Sequence, residues 1–527
     1  MTALVTLAER NWDVLVVGGG ITGAGILREA TRMGLRAALV EQNDFASGTS
    51  SRSSKLVHGG LRYLAQGKLG LMRESVQERG RLLRDGPGLV EYLGYLHAVY
   101  RGDRPGAPVF DLALRLYALL HGRWRLHQRL PPTAAGFWAP GLAEDRLTAL
   151  FAYGESQTDD SRLVLRILRE ATERGALALH YTRVEDLLRD QNGQVIGVTV
   201  ADRETGQRAG VRARAVVNAT GAWADGLRAQ VQARPMLRPM RGSHLVIPGW
   251  RFRLGQVISF FHPENGRPMF CVPWQGVVLV GTTDVDQHES LDAEPRPSPE
   301  EIHFLLRALQ ARFPQLGFTH GDLQAVYAGV RPVADTGTHD PAKASREHVI
   351  WMESGLLTVA GGKLTTFRPM ALAALEKLRA HLGGLPPPRA ASPALDPLPP
   401  LPEGFPLPAA LARRWLARYG PASLGFLLAT SPEDRLPLEG VAALSLADMR
   451  WMARSESVRH LDDLLLRRSR CGLTCPKGGA RLLPRIRPVV QPELGWTDAR
   501  WQAEVERYLA LWQRVYSPTP TTSDFIG

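Results

Sequence analysis

The chain has 527 residues, more than one hydrophobic core usually spans, so two or three domains are expected. Hydrophobic residues make up 44% and charged residues 22%, values that exclude a disordered chain. The net charge of +12 indicates either an anionic ligand or surface, or merely an arginine-rich solvated exterior. No basic run interleaved with aromatic residues is present, so nucleic acid is excluded as a partner.

The cysteines and the N-terminus indicate the compartment. Cys271, Cys471 and Cys475 are too few for a disulfide framework, which predicts a reducing environment. Cys471 and Cys475 have no histidine or further cysteine nearby, so no metal site is predicted. The first residues lack the pattern of a signal peptide, and no window reaches the roughly 18 apolar residues of a membrane span. We expect a cytoplasmic protein, with peripheral binding to the inner face of the cell membrane left open.

The N-terminal segment predicts a strand–helix–strand unit. Residues 13–17 (DVLVV) form an apolar run followed at once by glycines, which is typical of a buried parallel strand. Residues 21–33 have apolar side chains at helical spacing, and Gly34 is placed to end that helix. Residues 36–41 (RAALVE) predict the second strand.

The first turn of this unit matches the dinucleotide fingerprint G-x-G-x-x-G in its correct context. Gly18 permits the tight turn, Gly20 lets a pyrophosphate approach the backbone, and Gly23 lets helix and strand pack closely. The helix N-terminus offers N–H groups to the diphosphate. Glu41 ends the second strand where a ribose-binding carboxylate belongs, which disfavours NADP; a solvated strand-end charge is the alternative.

Three later segments favour FAD over NAD. Residues 45–55 (FASGTSSRSSK) form a loop rich in hydroxyl groups and glycine, although a merely flexible loop has the same composition. Residues 216–223 (VVNATGAW) are a strand that ends in Thr-Gly, and Gly361-Gly362 precede a second helix N-terminus. Segments so far apart in the chain suit a long cofactor that is bound along its whole length, so the sequence predicts FAD.

The remaining predicted segments alternate strands and helices up to a proline-rich stretch. In chain order they are an irregular insertion at 86–150, a helix at 161–175, strands over 176–221 with a turn at Asn192-Gly193, strands within 235–290, a helix at 298–313, and a strand, glycine turn and long helix at 358–384. The proline density of residues 385–408 predicts an extended linker. Residues 409–527 are predicted to be mainly helical.

Several motifs together resemble those of the FAD-dependent glycerol-3-phosphate dehydrogenases. They are GGGITGAGI, ASGTSSRSSKLVHGGLRYL, NATGAWAD, RGSHLVIP, PWQGVVLVGTTD, AGVRP and GGKLTTFR, and they cover about residues 12–370. LDDLLLRRSRCGL (461–473) is similar to a helix of that family's C-terminal domain. HGGLRYL with GGKLTTFR is specific to the family, whereas NATG also occurs in glycine and D-amino-acid oxidases. Residues 86–150 and 385–450 diverge from the family pattern.

The resemblance implies an α/β fold: a Rossmann-type FAD-binding domain, an inserted α+β substrate domain like that of D-amino-acid oxidase, and a mainly helical C-terminal domain. The predicted division assigns 12–85, 150–230 and 320–384 to the FAD-binding domain, 86–149 and 231–319 to the substrate domain, 385–408 to the linker and 409–527 to the C-terminal domain.

The resemblance also implies the reaction, the oxidation of sn-glycerol 3-phosphate to dihydroxyacetone phosphate with electrons passed through flavin to a membrane quinone. Such a site must bind a phosphate, polarise the C2 oxygen and supply a base. Arg62 and Lys363 are the candidates for the phosphate, with a hydrogen bond from Tyr63. Arg331 is the candidate for the C2 oxygen. His244 is the candidate base, and His58 is its rival.

The predicted cofactor-binding residues come from the same motifs. They are Gly18, Gly20, Ile21, Thr22, Gly23, Glu41, Thr49, Ser50, Ser54, Leu56, Gly60, Val184, Thr220, Gly221, Trp223, Gly362, Lys363, Leu364 and Thr365.

Residues 108–120 (PVFDLALRLYALL) are apolar nearly all round and are followed by Arg123, Trp124, Arg125 and Arg129. This pattern suits a helix in the headgroup region of a membrane, and equally an ordinary buried helix. The sequence leaves open the electron acceptor, quinone or O₂, and the oligomeric state, a homodimer included. The competing functions are a glycerol-3-phosphate oxidase, a flavin-binding protein without turnover, and an amine-oxidising relative, for which phosphate-binding cations would serve no purpose.

Overall fold

The computed structural model describes residues 3–61, 67–120, 127–335, 348–389, 391–441 and 444–519. Within these ranges the helices are α1 (Ala3–Glu9), α2 (Ile21–Arg32), α3 (Leu69–Asp85), α4 (Ala107–Leu120), α5 (Ala135–Trp138), α6 (Asp160–Glu173), α7 (Ala224–Gln230), α8 (Pro299–Arg312), α9 (Phe367–Leu382), α10 (Ala409–Tyr419), α11 (Ser423–Ala429), α12 (Leu446–Ser455), α13 (Cys471–Thr474), α14 (Leu483–Leu494) and α15 (Asp498–Val515). The strands are β1 (Trp12–Val17), β2 (Ala37–Val40), β3 (Leu56–Val57), β4 (Val90–Tyr100), β5 (His127–Leu130), β6 (Leu147–Thr158), β7 (Leu177–Leu179), β8 (Thr182–Arg189), β9 (Val195–Asp202), β10 (Arg208–Asn218), β11 (Leu237–Pro248), β12 (Val257–Phe261), β13 (Pro268–Trp274), β14 (Val277–Gly281), β15 (Val285–Asp286), β16 (Ala325–Ala334), β17 (Val349–Glu353) and β18 (Leu356–Ala360).

An eight-stranded sheet within the described residues contains the N-terminal unit. Its central order is β17-β18-β10-β1-β2-β7, and β18, β10, β1, β2 and β7 run parallel. The predicted strand–helix–strand unit is present, and its helix is followed by Gly34, whose φ of 82° ends the helical conformation. The carboxyl ends of β1, β2, β10 and β18 meet at one edge, where ligands of open parallel sheets bind.

A ten-stranded sheet forms the second layer and corrects one prediction. The insertion predicted to be irregular contains β4, an eleven-residue strand that hydrogen bonds to β6 on one side and β12 on the other. Residues Tyr95–Tyr100 of β4 are buried. Both faces of this strand are covered, so it lacks the polar–apolar alternation by which a strand is recognised from sequence.

Two strands belong to a different sheet from the one that the predicted domain division implies. The predicted division places β16 and residues 150–158 of β6 in the FAD-binding domain, but both strands pair within the ten-stranded sheet, β6 with β4 and β16 with β11. β16 also contacts the loop that follows β2, since the Thr49 hydroxyl donates a hydrogen bond to the Val330 carbonyl. The other domain limits stay predictions.

The proline-rich stretch has neither helix nor strand in residues 385–389 and 391–408, as predicted, and part of it is packed against other elements. Ala394 and Leu395 are buried against the helices of the eight-stranded sheet. Asp396 forms ion pairs with Arg28 and Arg174. Residues 392–396 are therefore packed against the FAD-binding domain, whereas most residues from 397 to 408 are exposed.

The C-terminal region is helical, which confirms the predicted fold class. Residues Asp463–Arg468, within the motif at 461–473, form a π-helical segment between α12 and α13. The core of this region is continuous with one face of the ten-stranded sheet, through residues such as Trp415, Trp451 and Trp274. No helix among the described residues is long and apolar enough to cross a membrane.

Candidate active site

A cavity of about 640 Å³ lies at the carboxyl ends of the parallel strands. Its walls come from the turns after β1, β2, β10 and β18, from the start of β8, and from the loop of residues 41–55, which we call the cofactor loop. The lining residues are Val17, Gly18, Gly20, Ile21, Thr22, Glu41, Gln42, Asn43, Ser47, Gly48, Thr49, Ser50, Ser53, Thr182, Arg183, Val184, Glu185, Ala219, Thr220, Gly221, Ala222, Trp223, Gly226, Leu227, Gln230, Asp292, Pro332, Gly361, Gly362, Lys363 and Leu364.

The glycines of the first turn have no room for side chains. Gly18 has a φ of 114°, and a Cβ atom there would lie 2.5 Å from the Ala219 carbonyl oxygen. A Cβ atom on Gly23 would lie 1.9 Å from the Gly18 carbonyl oxygen, so this glycine lets α2 pack directly on the turn. At Gly20, which lines the cavity, a Cβ atom would reach within 3.0 Å of the Ser50 hydroxyl.

Glu41 is fixed at the end of β2 by backbone donors. One carboxylate oxygen accepts a hydrogen bond from Gly19 N at 2.6 Å and the other from Asn43 N at 2.9 Å. Burial raises the pKa of Glu41, against the opposing effect of these two amides. A carboxylate held in this way presents acceptor oxygens to the cavity, as ribose hydroxyl groups require.

The cofactor loop is hydrogen bonded to the glycine turn. Ala46 N donates to Gly19 O at 3.0 Å, and Ile21 N, at the start of α2, donates to the Ser50 hydroxyl at 2.9 Å. Ser50 therefore ties the loop to the helix N-terminus that would face a diphosphate.

His244 lies on β11 and is buried. Its Nε2 atom is 2.7 Å from the Ser54 hydroxyl, and its ring stacks on Tyr327 with centroids 4.7 Å apart. Nδ1 has no hydrogen-bond partner among the described residues. Burial, and then the positive charges of Arg331 and Lys55, hold the pKa of His244 well below its usual value. These effects favour the uncharged form of the imidazole and oppose its protonation.

Arg331 lies on β16, next to β11, and its guanidinium crosses the backbone of Gly242. A Cβ atom on Gly242 would lie 2.2 Å from Arg331 Nη2, so only glycine leaves this space. Nη1 is 2.8 Å from Asp284 Oδ1, and Nη2 donates to the Thr282 hydroxyl at 3.0 Å. Pro332, the next residue, lines the cavity. Arg331 and His244 thus lie on the neighbouring strands β16 and β11, and neither of them lines the cavity itself.

The other predicted substrate residues have different outcomes. Lys363 lines the cavity after Gly361 and Gly362, each with a φ of 76°. His58 follows β3 and does not line the cavity; the next amide, Gly59 N, donates to Glu155 at 3.0 Å. Arg62 and Tyr63 lie outside the described residues.

Five predicted cofactor residues do not line the cavity: Gly23, Ser54, Leu56, Gly60 and Thr365. Gly23 packs beneath the turn, and the Ser54 hydroxyl is taken by His244. Leu56 belongs to β3, and Thr365 is buried in the short helical turn before α9. The other fourteen do line the cavity.

Sequence reasoning missed several lining residues. Gln42, Asn43, Thr182, Arg183 and Asp292 are examples. The two that follow Glu41 could have been inferred, because residues after a parallel strand lie at the ligand-binding edge. Asp292 has no such local signal, since it comes from the segment between β15 and α8.

The comparisons with known proteins agree with this geometry. The family model for FAD dependent oxidoreductases matches residues 13–368, and the model for the C-terminal domain of alpha-glycerophosphate oxidase matches residues 397–501. An aerobic glycerol-3-phosphate dehydrogenase of Staphylococcus epidermidis is 38% identical over 381 residues, 71% of this chain and 68% of that protein. The chain belongs to the FAD-dependent glycerol-3-phosphate dehydrogenase family.

Further members and more distant proteins share the fold. An aerobic glycerol-3-phosphate dehydrogenase of Staphylococcus aureus is 38% identical over 370 residues, 69% of this chain and 66% of that protein. The X-ray structure of the glycerol-3-phosphate dehydrogenase from Bacillus halodurans complexed with FAD has a TM-score of 0.78 at 28% identity, covering 99% of this chain and 98% of that one. The L-alpha-glycerophosphate oxidase of Mycoplasma pneumoniae, at 17% identity and a TM-score of 0.56, covers 75% of this chain and 100% of that one and shares the fold alone.

The residues of the cavity fit FAD, the cofactor of this family. The cavity extends from Glu41 and Arg183 to Gly361 and Lys363 and is bordered by the N-termini of α2 and of the turn before α9. Its glycines leave backbone open to a ligand where side chains would collide. A site that is long, polar and bordered by two helix N-termini suits a dinucleotide with a diphosphate at its centre.

Proposed function

We propose that this chain oxidises sn-glycerol 3-phosphate to dihydroxyacetone phosphate by hydride transfer to the flavin, with electrons passed on to a membrane quinone. The observation that supports it most is that a buried imidazole, His244, and a guanidinium, Arg331, lie on the neighbouring strands β11 and β16, and that Pro332, next to Arg331, lines the cavity. A base and a cation in one place are what the oxidation of a secondary alcohol requires.

Each residue has a proposed task. Arg331 polarises the C2 oxygen, and His244 accepts the proton of the C2 hydroxyl group. Lys363 and Arg62 bind the phosphate, with a hydrogen bond from Tyr63. His58 remains the rival base. Bound FAD supplies the two-electron acceptor, and the proposed cofactor contacts are those of the predicted residues that line the cavity.

The Ser54 hydroxyl is hydrogen bonded to His244. It is 2.7 Å from His244 Nε2, while Tyr327 stacks on the ring and donates its hydroxyl hydrogen to Ser53 O at 2.9 Å. These contacts fix the orientation of the imidazole, as a catalytic base requires.

The test is anaerobic mixing of the purified protein with glycerol 3-phosphate, other phosphorylated polyols, glycine and D-amino acids. We expect glycerol 3-phosphate to bleach the flavin and to yield dihydroxyacetone phosphate. Bleaching by the amines alone would identify an amine-oxidising relative, and no bleaching by any substrate would identify a flavin-binding protein without turnover.

The C-terminal match to the alpha-glycerophosphate oxidase domain keeps an O₂-reducing oxidase as the second candidate. Reoxidation of the reduced protein in air and, separately, with a soluble quinone distinguishes the two. We expect rapid reoxidation by quinone and slow reoxidation by O₂. The reverse order would identify an oxidase.

The surface of α4 supports peripheral membrane binding, which a quinone-linked enzyme needs. Val109, Leu112, Leu116 and Leu119 are 60, 58, 44 and 68% exposed and lie on one face of the helix, while Phe110 and Leu114 are buried on the other. An exposed apolar stripe of this kind suits a helix lying in the headgroup region. Arg123, Trp124 and Arg125 of the predicted basic end lie outside the described residues.

A further inference from the structure

The C-terminal domain contacts the cofactor loop through buried arginines. Arg468 Nη2 donates to Asp44 Oδ1 at 2.7 Å, and both Arg467 and Arg468 contact Asp44 Oδ2. Asp44 is 1% exposed and Arg468 is fully buried. Although burial opposes ionisation, Arg468 and Arg467 hold the pKa of Asp44 well below its usual value. The start of the loop is thus fixed by a charged cluster whose arginines come from another domain.

A second contact fixes the far end of the loop. Arg470 Nη2 donates to Ser51 O at 2.9 Å and also pairs with Asp160. Asp160 in turn accepts hydrogen bonds from Ser53 N at 3.0 Å and from Lys55 Nζ at 2.8 Å. Arg470 and Lys55 both have left-handed backbones, with φ of 67° and 62°, which residues other than glycine rarely adopt. The surrounding ion pairs hold both residues in this conformation.

The segment between these two anchors faces the cofactor. Ser47, Gly48, Thr49 and Ser50 all line the cavity. The Ser50 hydroxyl accepts the hydrogen bond from Ile21 N, so its position also fixes the loop against the N-terminus of α2. Any shift at Asp44 or Ser51 is passed to these residues through only a few backbone bonds.

The cluster at Asp44 is not a metal centre. Asp44, His180 and Asp463 offer ligand atoms within 4.8 Å of one another. Arg467, however, pairs with both Asp44 and Asp463, and the Tyr181 hydroxyl donates to Asp463 at 2.7 Å. Guanidinium groups therefore already neutralise the two carboxylates, and a metal cation there would be repelled by the positive charges of the arginines.

We propose that Arg467, Arg468 and Arg470 are positioning residues for FAD: they hold the cofactor loop in its binding conformation from the C-terminal domain. Without them the loop samples other conformations, and the apparent affinity falls in proportion to the fraction that remains competent. The C-terminal domain thereby becomes part of the cofactor site without touching the cofactor.

The test compares two arginine variants of the full-length protein. Arg468→Gln removes one of the two guanidinium groups at Asp44, whereas Arg454→Gln removes an exposed pair of the same domain, Arg454 with Glu493 at 2.7 Å. FAD is titrated into each apoprotein, and binding is followed by flavin fluorescence. We expect the dissociation constant of Arg468→Gln to rise about tenfold or more, because a tenfold loss of competent loop raises it by that factor. Arg454→Gln should match the wild type.

A purely structural role predicts a different result: lower thermal stability of Arg468→Gln with unchanged FAD affinity and an unchanged stabilisation by FAD. That result would overturn the proposal. If Arg468→Gln does not fold, the same measurements are made on Arg468→Lys, which keeps the charge but not the planar fork. Weaker FAD binding then supports the proposal, and unchanged FAD affinity with lower stability overturns it.

A double-variant cycle tests the pair itself. If Asp44 and Arg468 act as one unit, Asp44→Asn added to Arg468→Gln should weaken FAD binding little beyond the single variant. Fully additive losses of affinity would contradict the proposed coupling.

Discussion

Two groups of charged side chains in this protein differ in how far they are buried from solvent. At the domain junction, Asp44, Asp160 and Arg468 are buried and each contacts several protein partners. Beside the cavity, the Arg331 side chain is 23% exposed and Lys363 lines the cavity wall. The first group can only fix geometry, since no ligand reaches it. The second group can also bind a ligand. We use this difference to distinguish the residues proposed to hold the cofactor loop from the residues proposed to act on substrate.

The largest expected effect sharpens the cavity side of this comparison. Gly20→Val should give protein without flavin, because its side chain meets Ser50 and fills the place of the pyrophosphate. Mass spectrometry of the released cofactor measures the identity and amount of bound flavin, and the wild type should release FAD. Release of FMN by the wild type, or FAD at full occupancy in the variant, would contradict the assignment.

Arg331→Lys should slow flavin reduction at saturating substrate by a factor of about 10²–10³, as expected for a donor that acts mainly in the transition state. Lysine keeps the charge but loses the planar fork that contacts Asp284 and Thr282. Anaerobic single-turnover reduction, with cofactor content checked first, measures the rate. A wild-type limiting rate would remove Arg331 from the chemical step.

The phosphate contacts should make glycerol a far weaker substrate than glycerol 3-phosphate. Charge-assisted hydrogen bonds contribute about 1.5–3 kcal/mol each. Loss of the two proposed contacts, to Lys363 and Arg62, should therefore weaken binding by a factor on the order of a hundred or more. Stopped-flow bleaching across concentrations of both polyols measures it, and equal behaviour would refute a phosphate pocket.

Arg62→Lys should mainly raise the substrate concentration needed, with the limiting rate of flavin reduction less affected. The reason is that a lysine still offers a positive charge to the phosphate, but not two parallel hydrogen bonds. The same single-turnover experiment measures both quantities. If Arg62→Lys slows the limiting rate and Arg331→Lys does not, the two roles are reversed.

The smallest effect concerns the exposed face of α4. Leu112→Ser with Leu116→Ser should weaken binding to anionic lipid vesicles about tenfold, which corresponds to roughly 1.4 kcal/mol of lost apolar burial. Leu436→Ser is the matched control, because Leu436 is 64% exposed but lies in the C-terminal domain. Vesicle sedimentation measures binding, and equal losses in both proteins would argue against α4 as the contact.

The sequence predicts the parts of this molecule that depend on residues close together in the chain, and it does not predict those that depend on distant residues. The unit around Gly18 and Glu41 was predictable, because strand, turn and helix lie within a few tens of residues and each has a local pattern. β4 was not, since its burial on both faces depends on strands far along the chain. The contact between Asp44 and Arg468 joins residues 424 positions apart, and a motif shows the arginines but not their partner. The burial of Ala394 and Leu395 was not predictable for the same reason, because it depends on helices far along the chain.

The most direct test of the two groups measures the FAD dissociation constant and the limiting rate per bound flavin in Arg331→Lys and Arg468→Gln side by side. We expect Arg331→Lys to keep wild-type FAD affinity and to reduce flavin about 10²–10³ times more slowly at saturating substrate. We expect Arg468→Gln to lose about tenfold in FAD affinity, with a far smaller loss of rate per bound flavin. If both variants lose the same property to the same extent, the division between positioning charges and substrate charges is wrong.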